Sequence, residues 1–113
     1  MSEPCHCSLD DIAAKLEAVG NPTRLSIYRA LIRAGDSGLT VGQLQGELGG
    51  ALSTLSHHLH RLITVELVTQ ERNGTSLICR ANYPAMHGLV QFLTDECCID
   101  EAVAPPSLAT VGF

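Results

Sequence analysis

Leu52, Leu55, Leu59, Leu62 and Ile63 recur at helical spacing and predict an amphipathic helix with one buried stripe. Ser53, Thr54, Ser56, His57 and Arg61 fall on the remaining surface, where hydroxyls, an imidazole and a guanidinium suit base edges and phosphates. Two strands follow, Leu67 to Arg72 and Thr75 to Ala81, around Asn73-Gly74, a dipeptide that supplies the positive φ angles of a type I′ hairpin. As a two-residue turn, Asn73-Gly74 sets Cys79 opposite Val68 and puts Leu77, Cys79 and Val68 on one core-facing side. Arg72 lies beside the tip, within reach of a phosphate. Ahead of the leucine stripe, Thr40 and Gln43 carry a capping-box signature for a short helix through Leu48, and Gly49-Gly50 turns the chain into the next helix. A short helix, a glycine turn, a second helix and a hairpin follow the order of a winged helix-turn-helix.

Three more helices complete the pattern. Ser8 caps the first, whose apolar face is Leu9, Ile12, Ala13 and Leu16 and whose end lies near Gly20. Asn21 caps the second, with Pro22 at its first position and Leu25, Tyr28, Leu31 and Ile32 facing the core; Gly35-Asp36-Ser37-Gly38 ends it. The last opens at Pro84, buries Met86, Leu89, Val90 and Leu93, and runs to about Cys97 or Cys98. The expected class is mainly α with a two-stranded β wing: five helices and one hairpin in a single domain over residues 1–113. Order is expected over about residues 8–98, with a disordered tail over about 102–113, where Pro105-Pro106 and small residues lack any period.

At 113 residues the core is modest, and a second copy would add useful burial, so a homodimer is expected. No apolar run approaches the roughly 20 residues of a membrane span, and the first residues lack the basic and apolar regions of a secretory signal. A cytoplasmic protein with no membrane partner is the expectation. Taken as a sum, the net charge of −5 opposes nucleic-acid binding, but the acids concentrate at the two ends. Residues 19–94 hold six arginines against four acids, a weak positive balance that suits modest, salt-sensitive binding to double-stranded DNA rather than a general nucleic-acid coat. No Cys-x-x-Cys motif, phosphate-binding glycine loop or nucleophile elbow supports an enzyme. No organic cofactor is called for either.

Asn21-Pro22-Thr23-Arg24-Leu25, Leu39-Thr40-Val41-Gly42-Gln43-Leu44, Ser53-Thr54-Leu55-Ser56-His57-His58-Leu59 and the Asn-Gly wing together resemble the ArsR/SmtB family of bacterial metal-responsive repressors, over roughly residues 9–98. The resemblance implies a dimeric winged helix-turn-helix whose first and last helices pair across the dimer, and which leaves its operator when a metal or metalloid binds. Three departures matter. The Cys-Val-Cys sensor segment of some members is Thr40-Val41-Gly42 here, so that arsenic site is absent. The last helix has His87 and a thiol pair where zinc sensors use acidic and His residues at both ends. Ala51 stands where the family has a serine cap for the recognition helix, so that helix is expected to start later, near Ser53.

Five cysteines are many for a reducing compartment, and their placement tells more than their number. Cys97 and Cys98 are vicinal, at a helix end among Asp95, Glu96, Asp100 and Glu101, a setting too polar for core. Such a pair makes a strained disulfide, but two thiolates can clasp a large soft ion, such as trivalent arsenic or antimony. Inorganic arsenic takes three ligands, an organoarsenical only two. A third thiol could come from Cys5 or Cys7 of the Cys5-His6-Cys7 group on a partner protomer. Cys79 reads as a small buried hydrophobe. His57, His58 and His60 cannot converge on one ion from a single helix, and the position one turn after His57 is Arg61, so DNA contact is assigned to His57 and Arg61, and surface or packing roles to His58 and His60. The expected function is repression relieved by a trivalent arsenical or antimony. Alternatives on the same fold are a redox- or persulfide-responsive repressor and a cadmium- or zinc-responsive one.

Overall fold

The computed structural model describes residues 8–101. Five helices and a small sheet follow one another as α1 (Leu9–Val19), α2 (Pro22–Ala34), β1 (Leu39–Thr40), α3 (Val41–Leu48), α4 (Leu52–Thr64), β2 (Val68–Asn73), β3 (Ser76–Ala81) and α5 (Tyr83–Glu96), with a 3₁₀ turn at Gly35–Ser37. This is the winged helix-turn-helix expected from the hydrophobic pattern. The expected tail, and Cys5-His6-Cys7, lie outside the described residues.

Local chemistry sets most helix starts. The Ser8 hydroxyl accepts from the Asp11 amide while the Asp11 carboxylate accepts from the Ser8 amide, closing a capping box. Asn21 caps α2 through Thr23 and Arg24 amides, with Pro22 at the first position. Thr40 and Gln43 form a second capping box at α3, at 3.0 and 2.8 Å. Ala51 supplies no side-chain cap, yet α4 starts at Leu52 rather than being delayed to Ser53, so Ser53 is already helical.

The sheet corrects two expectations. It has three strands in the order β1-β3-β2, because Leu39 and Thr40 pair antiparallel with Cys79 and Ile78. The turn also sits one residue later than expected. Asn73 pairs with Ser76, and Gly74 alone has positive φ (+66°), so the central residues are Gly74-Thr75, as in a type II′ turn. Val68 therefore faces Ala81, and Cys79 faces Gln70. Either register keeps the same residues on the same face, so Val68 and Cys79 are buried as expected.

The core gathers Ile27, Tyr28 and Leu31 of α2, Leu44 of α3, Leu55, Leu59 and Leu62 of α4, and Leu67, Val68, Cys79 and Ala81 of the wing base. Burial of a whole apolar stripe fails in four helices. Leu52 is exposed at the start of α4, and in α2 Leu25 is exposed while Arg24 and Ile27 are buried. On α1, Ile12 and Ala18 are buried, whereas Leu9, Ala13 and Leu16 are exposed. On α5 only Leu89 is buried; Val90 and Leu93 are exposed, as is Ile99 beyond it. Among the described residues, Leu9 and Leu16 of α1 and Val90 and Leu93 of α5 thus stay largely uncovered. Among the described residues no helix is long and apolar enough to cross a membrane.

Candidate nucleic-acid interface and thiol pair

Helix α4 rests on the core through Leu55, Leu59 and Leu62, which turns Ser53, Thr54, Ser56 and His57 outward, all exposed. With no side chain capping at Ala51, the first-turn amides of α4 have no side-chain acceptor. Such amides, beside the Ser53 and Thr54 hydroxyls, are donors suited to an anion. A groove of about 620 Å³ runs between α3, α4 and the wing, and brings Ser56 and His60 of α4 to face Thr75 and Ser76 of the wing tip. Its lining carries no Arg, Lys, Asp or Glu.

The arginines divide by what they already hold. Arg24 is buried. Arg80 donates to the Asp36 carbonyl at 2.7 Å and pairs with Glu71, which fixes it along the sheet. Arg61 is turned toward α1, where its Nη2 lies 2.8 Å from Glu17 Oε1. That pair is solvent-exposed and worth no more than about 1 kcal/mol, so a phosphate could displace the carboxylate at little cost. Arg72 is exposed on β2, one residue from the tip, with no carboxylate within 4.0 Å among the described residues.

One contact was not foreseen. The Arg24 Nε donates to the Ala18 carbonyl at 2.6 Å, and its Nη1 lies 3.3 Å from Nδ1 of His58. Pro22-Thr23-Arg24 signalled a helix start in the sequence, but nothing local there pairs positions 24 and 58.

Cys97 and Cys98 lie just past the end of α5. Cys97 has φ −64° and ψ 122°, Cys98 has φ +59°, and the Ile99 amide donates to the Glu96 carbonyl at 3.3 Å. These are the marks of a type II turn with an L-residue in the position that favours glycine. The turn holds the two sulfurs 3.5 Å apart. Cys98 is exposed and Cys97 half-buried. The Cys97 thiol is raised above its ordinary pKa, chiefly by its hydrogen bond with Cys98 and then by desolvation, the Cys98 thiolate and the Glu101 carboxylate. Among the described residues no group of three or more His, Cys, Asp or Glu side chains is arranged to hold a metal ion. Cys79, by contrast, is fully buried, accepts from Gln70 Nε2 at 3.4 Å, and has its pKa raised by burial, as a packing residue should.

A helix-turn-helix domain model matches residues 19–71. The chain is 38% identical over 60 residues to a Halobacterium salinarum protein described as an arsenical resistance operon repressor, and the match covers 53% of this chain and half the length of that relative. Among solved structures, one described as a transcriptional regulator for arsenical resistance is 30% identical, with a TM-score of 0.62 over 78% of this chain and 88% of the other. The homodimeric winged helix-turn-helix DNA-binding domain of a Mycobacterium bovis protein, described as an ArsR-family transcriptional regulator, is 28% identical, with a TM-score of 0.62 over 86% and 90% of the two chains. With its capped helices, glycine turn and wing in the same order, the chain belongs to the ArsR/SmtB family of winged helix-turn-helix DNA-binding transcriptional regulators, and not to a family of enzymes.

Proposed function

We propose that the protein is a homodimeric repressor released from its operator when a trivalent arsenical is held by Cys97 and Cys98. The observation that carries this reading is the thiol pair, Cys98 exposed and Cys97 half-buried, its sulfurs 3.5 Å apart in a turn at the end of α5. Two converging sulfurs match the donor set of an organoarsenical, in which carbon already fills one position of the arsenic. Each thiol would replace one hydroxide of a methylarsenous acid, the thiol proton leaving with it as water, so two As–S bonds form and two waters are released. Because thiols and not free thiolates balance that exchange, the raised Cys97 pKa slows capture without opposing it. Inorganic arsenite or antimonite needs a third ligand, for which Cys5 or Cys7 of the partner subunit are the candidates.

Dimerisation is supported by the uncovered apolar residues of α1 and α5, Leu9, Leu16, Val90 and Leu93. The thiol turn continues directly from α5, so a ligand there acts on the helix assigned to the subunit interface. Its effect on DNA follows from linkage: a ligand that favours the DNA-incompetent dimer weakens operator binding by the same coupling free energy, and about 3 kcal/mol is roughly a hundredfold. On the DNA side the assigned contacts are Ser53, Thr54, Ser56, His57 and Arg61 of α4, and Arg72 of the wing. Arg72→Ala is expected to weaken binding to specific and unrelated duplexes alike and to reduce the slope of log affinity against log salt by about one, measured by fluorescence anisotropy across a salt series.

The decisive test is a gel shift on the protein's own promoter with methylarsenite, arsenite, antimonite, cadmium and zinc. Methylarsenite is expected to release the wild type, and Cys97→Ser or Cys98→Ser to bind DNA normally but stay bound, since a hydroxyl cannot replace a thiol on a soft ion. Replacing Cys5 and Cys7 together is expected to lower the arsenite response and spare the methylarsenite one. Release of both single variants by methylarsenite would move the sensing site elsewhere. Release by zinc or cadmium but not by arsenicals would favour the other inducers.

A further inference from the structure

We infer that Arg24 and a neutral His58 form a latch that positions the recognition helix for DNA, and that protonation of His58 opens it. The inference rests on α4 being the DNA-reading helix. Arg24 is 8% exposed, sits in the first turn of α2, and reaches two other elements. Its Nε donates to the carbonyl of Ala18 near the end of α1, and its Nη1 lies 3.3 Å from His58 Nδ1 in the middle of α4. A guanidinium has only donors and does not lose its proton in proteins. His58 Nδ1 must therefore be the acceptor, which assigns the neutral imidazole with its proton on Nε2. Three helices meet at this one cation.

Adding a proton to Nδ1 turns acceptor into donor. The hydrogen bond is lost, a buried guanidinium N–H is left without a partner, and two cations face each other at the same distance. The other groups around His58 are mostly of the same sign: His57, its ring centre 5.8 Å away, and Arg61 on α4, the latter held by Glu17 of α1. The His58 pKa is lowered, first by desolvation, then by Arg24, His57 and Arg61. A base whose pKa is lower in the latched form than its ordinary 6.5 is stabilising while neutral. The latch is thus complete above about pH 6.5 and is lost progressively as pH falls below it. The residues next to His58, Ser56 and His57, are assigned to DNA, so a shift of α4 at this point moves them directly. Reciprocity requires operator binding to lower the His58 pKa further.

Two measurements test this. In the free protein, imidazole ¹⁵N and ¹³C shifts are expected to show Nδ1 unprotonated on His58 at neutral pH, with a titration below the ordinary histidine value. Operator affinity is then measured between about pH 7.5 and about pH 5.5 for the wild type, His58→Asn and His58→Leu, with circular dichroism confirming the fold at each pH. Asparagine places an acceptor oxygen near the position of Nδ1 and does not titrate. The wild type is expected to lose roughly tenfold more affinity than His58→Asn over that range, the factor that goes with one charge-assisted hydrogen bond. His58→Leu is expected to bind weakly at both ends. A protonated Nδ1 at neutral pH, or the same pH profile in the wild type and His58→Asn, would overturn the latch. Absence of operator binding at any pH, with the expected tautomer present, would instead sink the reading of α4 as the DNA helix.

Discussion

Gly38→Ala is expected to be among the most damaging single substitutions in this chain, although it adds one methyl group. Gly38 has φ +68° and ψ −172°, a region open in practice only to glycine. A Cβ there would lie 2.5 Å from the Cys79 carbonyl oxygen and 2.8 Å from Arg80 Cγ. The arginine can move, but the carbonyl belongs to the backbone of β3 at the point where β1 pairs with it. Relief therefore requires displacing a strand. Backbone strain and overpacking together are expected to cost about 3 kcal/mol or more. Of a total stability on the order of 5–15 kcal/mol this is a large share, and differential scanning calorimetry should show it as a fall in the midpoint of more than about 10 °C. A fall of only a degree or two would mean that the 38–79 approach is looser than described.

Leu62→Ala is expected to cost about 3 kcal/mol as well, and Leu52→Ala less than about 0.5 kcal/mol, although the two leucines belong to one periodic stripe. Leu62 has no exposed surface and sits among the core residues of α2 and the wing base, whereas Leu52 is 49% exposed at the start of α4. Truncating Leu62 leaves a cavity that packed neighbours cannot fill. Truncating Leu52 removes surface that water already reaches. Urea unfolding of the two variants side by side separates packing from pattern. Equal losses would mean that Leu52 is covered in the assembled protein, and would enlarge the interface beyond α1 and α5.

Those two leucines show where the sequence was informative and where it stopped. Caps were legible because their chemistry is local: Ser8, Asn21 and Thr40 each bond to amides two or three residues on, and each sits where its side chain predicts. Periodicity identified the apolar faces of α1 and α5 but not what covers them, since Leu9 and Val90 satisfy the same spacing as Ile12 and Leu89. Hairpin register escaped for a related reason. Turns at 73–74 and at 74–75 differ by two in pairing, which leaves every side chain on its original face, so alternation could not choose between them. β1 is two residues long, below the length at which alternation means anything, and exists because β3 offers it an edge. The vicinal thiols were visible as letters, but their separation depends on the positive φ at Cys98. The Arg24–His58 contact spans 34 positions and three helices, and no local rule reaches that far.

The burial of Cys79 gives the wing a chemical clock. Its thiol is fully enclosed, lies on the strand that holds both sheet partners, and has its pKa raised by burial, so a thiol reagent can reach it only when β3 parts from its neighbours. Cys98, exposed past the end of α5, carries no such gate. With fast reclosing, the labelling rate of Cys79 relative to that of a free thiol is the equilibrium fraction of opened wing, read from a native side chain with no substitution. DNA that clamps the wing should slow that labelling, and an inducer that loosens it should speed it, each by the Boltzmann factor of the energy it contributes at that hairpin.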